Sequence, residues 1–316
     1  MKKYLMAGLL LIITSAHAGT PLTRSFEFLR TDFYPRTVAT GGAFVTFSND
    51  VGTMLVNPAG MALSEKPQYT FAVNKYLLDI NGGLAGYTQR IEGLGVVSAL
   101  ISYINYGEFK ETNSFARETG NTFSANDVSL NLSLSDMLQK GLSYGVTLKY
   151  IFSQIESYNA SAVALDFGLL WQVPYDEGIR LGVAVNNLGT NFEYYGNVKD
   201  RLPLDIRLGF SKELAHLPLT IALSLNRLAD PVESFGDYIK RFSVGGEFKL
   251  SENLRFRLGY DNALNRDLSD ELRGTQFGGV SGGLALYYNN FRFDYAYSDY
   301  DLLGGTHRIS LTGTLD

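Results

Sequence analysis

The chain has 316 residues, of which 45% are hydrophobic, and a formal net charge of -5. The negative charge argues against nucleic-acid binding, which needs a basic surface. Cysteine is absent, so the sequence supplies neither a disulfide framework nor a thiolate metal site. The 20 Tyr, 20 Phe and 33 Gly favour many strands and tight turns over a helical protein.

Residues 1–18 have the pattern of a secretory signal peptide. Lys2 and Lys3 precede an apolar run from Leu5 to Ile13, and Ala16-His17-Ala18 follows as a small-x-small cleavage site. The apolar run is shorter than the roughly 18 residues that a membrane helix needs, and no later run approaches that length. We therefore expect an exported chain that begins near Gly19 and has no membrane-spanning helix.

The segment Arg36–Leu63 lacks the regular alternation of the residues after it. It contains a run of small residues from Ala39 to Ala43, then Asp50, then Asn57-Pro58-Ala59-Gly60. Asparagine is a favoured helix N-cap, and proline suits the first helical position because its missing N–H would have no partner there. We interpret the segment as a compact plug around which the following sheet closes. A helix start in a soluble domain is the simpler alternative for the last motif.

Beyond residue 67 the sequence alternates apolar and polar residues with a period of two. In Leu142–Phe152 each even-numbered residue is aliphatic or aromatic, whereas Ser143, Gly145, Thr147 and Lys149 fall on the other face. The same alternation recurs in residues 204–210, 254–260 and 291–297. A period of two predicts β-strands rather than helices.

Many of these runs have the length of about 9 to 11 residues that a tilted strand needs to cross an outer membrane. Strands of a soluble sandwich are usually shorter, at about 5 or 6 residues. The fourteen predicted strands are Gln68–Leu78, Gly82–Ile91, Leu94–Tyr106, Ser124–Leu134, Gly141–Gln154, Ala160–Val173, Gly178–Asn187, Leu202–Lys212, Pro218–Arg227, Ile239–Lys249, Asn253–Asp261, Phe277–Tyr288, Phe291–Ser298 and Thr306–Leu315. The predicted fold is all-β, a transmembrane antiparallel barrel of fourteen strands with an N-terminal plug in its lumen.

The connections between these strands alternate in length. The even ones are short, and several odd ones are long: Gly107–Phe123, Leu188–Arg201, Leu228–Tyr238 and Asn262–Gln276. Outer-membrane barrels have short periplasmic turns and longer outer loops, so both ends of the barrel segment are expected on the periplasmic side. The expected division is a signal peptide (1–18), an N-terminal segment with the plug (19–67) and the barrel (68–316).

Several motifs resemble the PorV/PorQ family of outer-membrane proteins, which is itself similar to FadL-like barrels. Within the family the chain looks most like PorQ of the type IX secretion system, through Ile104–Phe109, Gly120-Asn121, Leu148-Lys149-Tyr150, Arg257–Tyr260 and Gly305–Leu311. The motif residues of the plug are Arg36, Gly41, Gly42, Asp50, Asn57, Pro58 and Gly60. The resemblance implies a fourteen-stranded barrel that acts with PorU, PorV and PorZ, where secreted cargo is attached to surface lipopolysaccharide.

Catalytic, metal and cofactor sites find little support in the sequence. Only His216 and His307 remain after signal removal, and Ser310 points to the opposite face of the predicted strand from His307. The acidic stretch Asp261–Glu271 matches no calcium-loop spacing and is expected to be a solvated outer loop. No helix follows Gly278–Gly283, which argues against a nucleotide-binding loop, and these glycines are expected to relieve crowding at a tightly curved wall or beneath the plug. We expect a non-enzymatic protein.

Three functions remain open at this stage. A scaffold of the secretion system is indicated by the family resemblance and by aromatic residues in predicted outer loops, which mark either a partner surface or an interfacial belt. These aromatics are Phe192, Tyr194, Tyr195, Phe235 and Tyr238. A transporter of hydrophobic small molecules is the second possibility, and a general porin, which the plug argues against, is the third.

The charges on the predicted inner faces make two further predictions. Residues Arg180, Asp205, Arg207, Arg255, Arg257, Arg292 and Asp294 give those faces a charged character that disfavours an apolar conduit. Unpaired charge in a narrow lumen is costly, so these residues need partners. We therefore expect the plug to lie inside the barrel, with Asp50 bound to an inward arginine and Asn57 capping a short turn.

Overall fold

A computed structural model describes residues 24–176, 178–195, 200–272 and 277–315. The predicted signal peptide, residues 1–18, lies outside the described residues. The described strands are β1 Gln68–Lys75, β2 Asn81–Ile91, β3 Gly95–Thr112, β4 Glu118–Gln139, β5 Leu142–Ile155, β6 Tyr158–Gln172, β7 Ile179–Glu193, β8 Asp205–Glu213, β9 Leu219–Leu225, β10 Phe242–Lys249, β11 Leu254–Asp261, β12 Val280–Tyr288, β13 Phe291–Asp299 and β14 Gly305–Thr314. The described helices are α1 Pro35–Ala39, α2 Phe235–Ile239 and α3 Asn262–Leu272, with 3-10 turns at Glu27–Arg30, Val51–Leu55, Pro58–Leu63 and Asp301–Leu303. None of the helices in these described ranges is long and apolar enough to span a membrane.

The strands close into one antiparallel barrel, as predicted. Each strand pairs with its neighbours in the chain, and β1 pairs with β14 from Gln68 opposite Thr314 to Lys75 opposite His307. Closure pairs the backbone of the first and last strands, which would otherwise be exposed edges. The fourteen-strand prediction is confirmed for the described part of the chain.

The sequence alternation decides which side chains face the lumen. In β5 the side chains of Thr147, Lys149 and Ile151 are buried, whereas Leu148 and Tyr150 on the outer face are about half exposed. Exposed apolar side chains of this kind cover the outside of the other strands as well. The outer wall is therefore apolar, as the barrel prediction requires.

The two ends of the barrel differ in their connections. At one end, here called the turn end, short segments join β2 to β3, β4 to β5 and so on to β12 and β13. At the other, here called the loop end, the connections include residues 226–241 and 262–279, which contain α2 and α3. The turn-end connections are short, as predicted, and the connections that hold α2 and α3 are long.

All four of the long predicted loops contain more regular structure than expected, and helix α2 begins within Leu228–Tyr238. Strands β3 and β4 continue into the predicted loop Gly107–Phe123, so only residues 113–117 link them. A bulge next to Asn105, where Gly107 has a φ of 84°, lets the two strands bend at this point. Strand β7 continues to Glu193 after a second bulge opposite Asp166, and the acidic stretch from Asp261 forms helix α3 rather than a loop.

Candidate functional site

Residues 24–67, here called the plug, run through the lumen from the loop end to the turn end. The backbone N–H of Ser25 donates to the carbonyl of Arg201 in the loop-end connection between β7 and β8. At the other end, the N–H of Leu315 donates to the carbonyl of Pro67. The residues between these points are mostly buried, and their helical turns contact β4, β5, β6, β12 and β13.

The first half of the plug is shaped by a short helix and a left-handed turn. Pro35 occupies the first position of α1, and the hydroxyl of Thr40 closes the helix by donating to the carbonyls of Arg36 and Thr37. Gly41 and Gly42 follow with φ angles of 63° and 78°. Glycine adopts this left-handed conformation without a steric penalty, so the chain reverses here.

Two side chains cap the turns in the second half of the plug. The carboxylate of Asp50 accepts the N–H of Gly52 at 3.2 Å, and the amide oxygen of Asn57 accepts the N–H of Ala59 at 3.1 Å. Asn57 also donates to the carbonyl of Val45 within the plug and to that of Leu169 in β6. One asparagine thus caps a turn and ties the plug to the wall.

The wall approaches the plug at a belt of inward-facing glycines. The belt comprises Gly145, Gly168, Gly182, Gly209, Gly245 and Gly259, from β5, β6, β7, β8, β10 and β11. A Cβ at Gly259 would overlap the backbone of Thr40 and Gly41, and one at Gly168 would overlap Asn57. The glycines of the belt therefore let the plug backbone lie directly against the strands. A larger residue at any of these positions would displace the plug.

A closed ring of six charges of alternating sign joins the plug to the wall. Its members, in order, are Arg36, Asp50, Arg292, Asp294, Arg257 and Glu247. Arg36 and Asp50 belong to the plug, and the other four are inward-facing residues of β10, β11 and β13. The ring is electrically neutral, so each charge has two opposite neighbours although all are buried.

The contacts that cross from plug to wall are short. Arg36 donates to both carboxylate oxygens of Glu247 at 2.9 Å, and Arg292 lies 2.8 Å from Asp50. The ring of Phe47 lies 5.0 Å from the Arg36 guanidinium. Burial alone would lower the pKa of Arg36, but the negative charges of Glu247 and Asp50 raise it above its usual value. The Arg36 side chain therefore stays positively charged inside the lumen.

The lumen has two chemically different halves. The charged half, on the side of β8–β14, holds the ring together with Asp205, Arg207, Arg255 and Arg308. On the side of β1–β6, inward residues such as Leu84, Leu100, Ile104 and Ile151 pack against Phe28, Phe33, Tyr34 and Met54 of the plug. The same side also buries a few polar groups, among them the ion pair of Lys149 and Asp166. The predicted inward charges all lie in β7–β13, and the sequence analysis did not anticipate the apolar cluster on the side of β1–β6.

Described residues line cavities beside the plug. A cavity of about 20 Å³ lies at the border of the two halves, between Phe28 and Leu55 of the plug and Lys149 of β5. A polar cavity of about 200 Å³ at the loop end lies next to Arg227, Tyr300 and helix α3. Asp32 lines both cavities, and none of the described residues makes a hydrogen bond or ion pair with its carboxylate.

Burial affects the charge of Asp32 in this position. Removal from water raises the pKa of the carboxyl group, although the nearby Arg207 and Arg308 lower it in part. The site therefore combines a half-buried acid, an apolar half and a charged half around one plug. Such an arrangement can bind and orient a solute. Among the described residues, no group of three or more His, Asp or Glu side chains could hold a metal ion.

The five predicted loop aromatics do not form one surface. Phe192 lies exposed on the outside of β7, whereas Tyr195 turns inward, donates a hydrogen bond to Ser153 and packs against the apolar cluster. Phe235 and Tyr238 are neighbours in α2, with ring centroids 6.3 Å apart. Tyr194 is partly buried. Of these five described aromatics, the structure therefore places only Phe235 and Tyr238 next to each other.

The predicted plug motif is gathered around the ring and the glycine belt. Arg36 and Asp50 are members of the ring, Gly41 and Gly42 form the left-handed turn, and Asn57, Pro58 and Gly60 form the capped turn against β5 and β6. His307 faces outward on β14, where its Nδ1 lies 2.8 Å from the hydroxyl of Tyr295.

Sequence reasoning missed Glu247, Asp32 and the inward apolar residues. Glu247 alternates with Phe248 in the same way as the inward residues that were recognised in other strands, so that signal was available. The inward leucines gave no such signal, because an apolar residue fits either face of a strand that crosses a membrane.

Comparison with known proteins identifies the fold. No protein-family model and no curated protein matches the sequence. The toluene transporter TbuX of Ralstonia pickettii has a TM-score of 0.61 and 14% identity, covering 90% of this chain and 98% of that chain. The toluene transporter TodX of P. putida has a TM-score of 0.63 and 12% identity, covering 90% and 99%. A Pseudomonas aeruginosa FadL homologue has a TM-score of 0.55 and 14% identity, covering 94% and 99%.

These identities are low, so the likeness establishes the fold alone. The chain is a closed fourteen-strand antiparallel barrel that matches FadL-type outer-membrane barrels. These structural neighbours are channels and transporters rather than enzymes.

Proposed function

We propose that this chain is a non-enzymatic outer-membrane barrel that takes up small hydrophobic molecules along its plug. The observation that carries the proposal is the apolar half of the lumen. Its buried cluster runs from Phe26 and Leu202 at the loop end to Met61 and Val96 near the turn end. An apolar surface that extends between the two ends of a barrel is what a hydrophobic solute needs to cross it.

The outer-membrane location of the proposal rests on the wall and on the fold. Exposed apolar side chains cover the outside of the strands, and FadL-type barrels share this architecture. The wall would then contact outer-membrane lipid and lipopolysaccharide. The two toluene transporters with this fold make a monoaromatic hydrocarbon a reasonable first solute to test.

Passage requires the plug to move. The cavity beside the apolar half measures about 20 Å³, room for about one water molecule, whereas a cavity of about 150 Å³ is needed for benzene. A solute would therefore have to replace plug side chains such as Phe28 and Leu55 along the apolar half.

Uptake of a naphthalene fluorophore by intact cells that express the chain tests the proposal. The outer leaflet of lipopolysaccharide slows the entry of such a probe, so a conducting barrel should raise the initial rate of uptake. Leu100→Asn places an amide in the apolar half at a cost of about 1–3 kcal/mol and should slow uptake about tenfold. Toluene should compete with the fluorophore.

Leu100→Met is the matched control, because it changes the same buried position but keeps it apolar and of similar volume. It should leave uptake close to that of the unaltered protein at equal expression and equal heat-modifiable migration. The proposal fails if the unaltered barrel raises uptake no more than an empty vector, or if Leu100→Asn and Leu100→Met reduce uptake equally.

A secretion scaffold is the second candidate function. The PorV/PorQ resemblance supports it, as do the exposed side chains of Phe192 and Phe235 at the loop end. Its partners would be proteins like PorU, PorV and PorZ of a type IX secretion system. Recovery of the barrel from gently solubilised membranes together with such a surface protein would favour this function, and recovery of the barrel alone would count against it.

A further inference from the structure

The barrel wall is much lower on one side than on the other. Strands β3–β7 have 14 to 22 residues, whereas β8–β14 and β1 have 7 to 10. The shortest, β9, has 7 residues. At about 3.4 Å per residue and a tilt of about 40° it rises only about 16 Å, less than the apolar band of about 25 Å around such barrels.

Exposed apolar side chains lie directly above the low side. The loop-end connections of β9–β10, β11–β12, β13–β14 and β1–β2 carry Phe235, Ile239, Phe277, Leu302, Leu303 and Leu78, here called the collar. Phe235 is 79% exposed and Leu302 is 76% exposed. Isolated exposed leucines are ordinary, but apolar residues in all four described connections above the low side form a pattern.

Helix α2 holds part of the collar in a fixed orientation. Ser234 and Asp237 form a reciprocal capping box at its start, so a helix of only 5 residues is well defined. Phe235 and Ile239 are four residues apart and lie on one face of it. The residues that follow are held by the protein itself: Lys240 pairs with Asp237 at 2.9 Å, and Arg241 donates to the carbonyls of Arg227, Asp230 and Pro231.

We propose that the collar lies in the outer leaflet of the membrane and completes the lipid-facing band where the wall is low. The occupant of this surface is lipid, whose acyl chains contact Phe235, Ile239 and Leu302. One observation selects lipid over a protein partner. Phe235, Ile239, Phe277 and Leu78 adjoin β9, β10, β11 and β1, whose 7 or 8 residues fall short of the about 9 to 11 that cross the band.

The tall side of the wall does not need such a collar. Strands β3 and β4 extend beyond the band as a hairpin whose residues 107–123 are almost all exposed. Phe115 lies at the tip of this hairpin and is 82% exposed, as much as the collar residues. Because the hairpin projects into water, Phe115 is a control of equal exposure but different surroundings.

Fluorescence quenching by brominated lipids tests the inference, which rests on the proposed membrane location. The only tryptophan of the sequence, Trp171, faces outward from β6 near the turn end and reports insertion of the barrel itself. In a Trp171→Phe background, Phe235→Trp, Leu302→Trp and Phe115→Trp each place one indole in the full chain. The proteins are reconstituted in phosphatidylcholine vesicles whose acyl chains are brominated either close to the headgroup or near the chain end.

We expect Phe235→Trp and Leu302→Trp to be quenched as strongly as Trp171, more by bromine close to the headgroup than by bromine near the chain end. Phe115→Trp should keep its full emission. Quenching of Trp171 without quenching of the two collar variants would overturn the inference while leaving the barrel in the membrane. Failure to quench Trp171 would reject the membrane location and the collar together. Leu302→Trp decides the question if Phe235→Trp does not fold.

Discussion

Removal of the Asp50 carboxylate should loosen the plug without unfolding the barrel. Asp50 is fully buried and receives Arg36 at 3.0 Å and Arg292 at 2.8 Å. The contact with Arg36 lies within the plug, so the bond to Arg292 is the charged contact that Asp50 makes with the wall. In Asp50→Ala, Arg292 keeps Asp294 at 2.6 Å, which limits the loss.

The magnitude follows from that single contact. A hydrogen bond to a charged group contributes about 1.5–3 kcal/mol, so the seated plug should lose about 2 kcal/mol relative to the displaced one. At about 1.4 kcal/mol per factor of ten, the ratio of displaced to seated plug should rise about 30-fold. Asp50→Asn keeps an acceptor for Gly52 while removing the charge, so it separates the effect of the ion pair from that of the cap.

Single-channel recording in planar bilayers measures the displaced state as open events. We expect the open probability of Asp50→Ala to rise about 30-fold, with heat-modifiable migration on gels retained. Glu118→Ala is the control, because Glu118 pairs with Lys110 on the exposed hairpin and should change nothing. If Asp50→Ala conducts like the unaltered protein while protease spares its plug equally, the ring does not hold the plug.

Three further predictions concern the plug and its surroundings. Gly259→Ala should destabilise the seated plug by about 1–3 kcal/mol in urea unfolding, whereas Gly282→Ala, whose Cβ would meet no atom closer than 3.5 Å, should be neutral. Because burial raises the pKa of Asp32, the native state holds that proton more tightly than the unfolded chain, and stability falls as pH rises from about 4 through the raised value. Asp32→Asn should therefore be more stable than the unaltered protein at neutral pH and similar near pH 4, as urea unfolding at both values would show. Burial raises the pKa of Asp230, but hydrogen bonds and positive charge from Arg30 lower it by more, so the pKa is below its usual value in the folded protein. The ionised carboxylate of Asp230 therefore stabilises the fold above about pH 4, and this stabilisation is lost as pH falls through the lowered pKa. Asp230→Asn should expose Arg30 to trypsin at neutral pH, and unchanged cleavage would contradict the role of this pair.

The barrel could be predicted from sequence because its outer face has to be apolar in nearly every strand. In β5 and β13 this requirement produces a strict alternation that one residue of slip would destroy. The requirement ends where a strand leaves the membrane. For that reason the sequence beyond Gly107 predicts a loop: its residues no longer alternate in hydrophobicity, although the two strands still pair there.

Helix α3 was missed for a related reason. Its buried residues Ala263 and Leu268 are few, and the acidic residues around them resemble a solvated loop. The cap that starts it is Asp261, whose carboxylate accepts the N–H groups of Ala263 and Leu264. The sequence predicts that Asp50 binds an inward arginine but not which one. The partner on the wall, Arg292, lies more than 200 residues away in sequence, so only the fold determines it.

Apolar contacts, hydrogen bonds and ion pairs hold the plug, and a hydrophobic solute competes only with the apolar contacts. On the side of β1–β6 hydrogen bonds such as that from Asn57 to Leu169 fix the plug near the turn end, but a hydrophobic solute can take the place of Phe28 or Met54 with little loss of buried apolar area. On the side of β8–β14 it is held by Arg36 and Asp50, and no apolar solute can replace a charge in the ring. A solute entering along the apolar half would therefore push the plug toward the charged half without releasing it. The ring would keep the plug attached to the wall during this movement. Loss of the ring should then raise conductance to ions more than uptake of the hydrophobic probe, and the two assays together can tell a released plug from a shifted one.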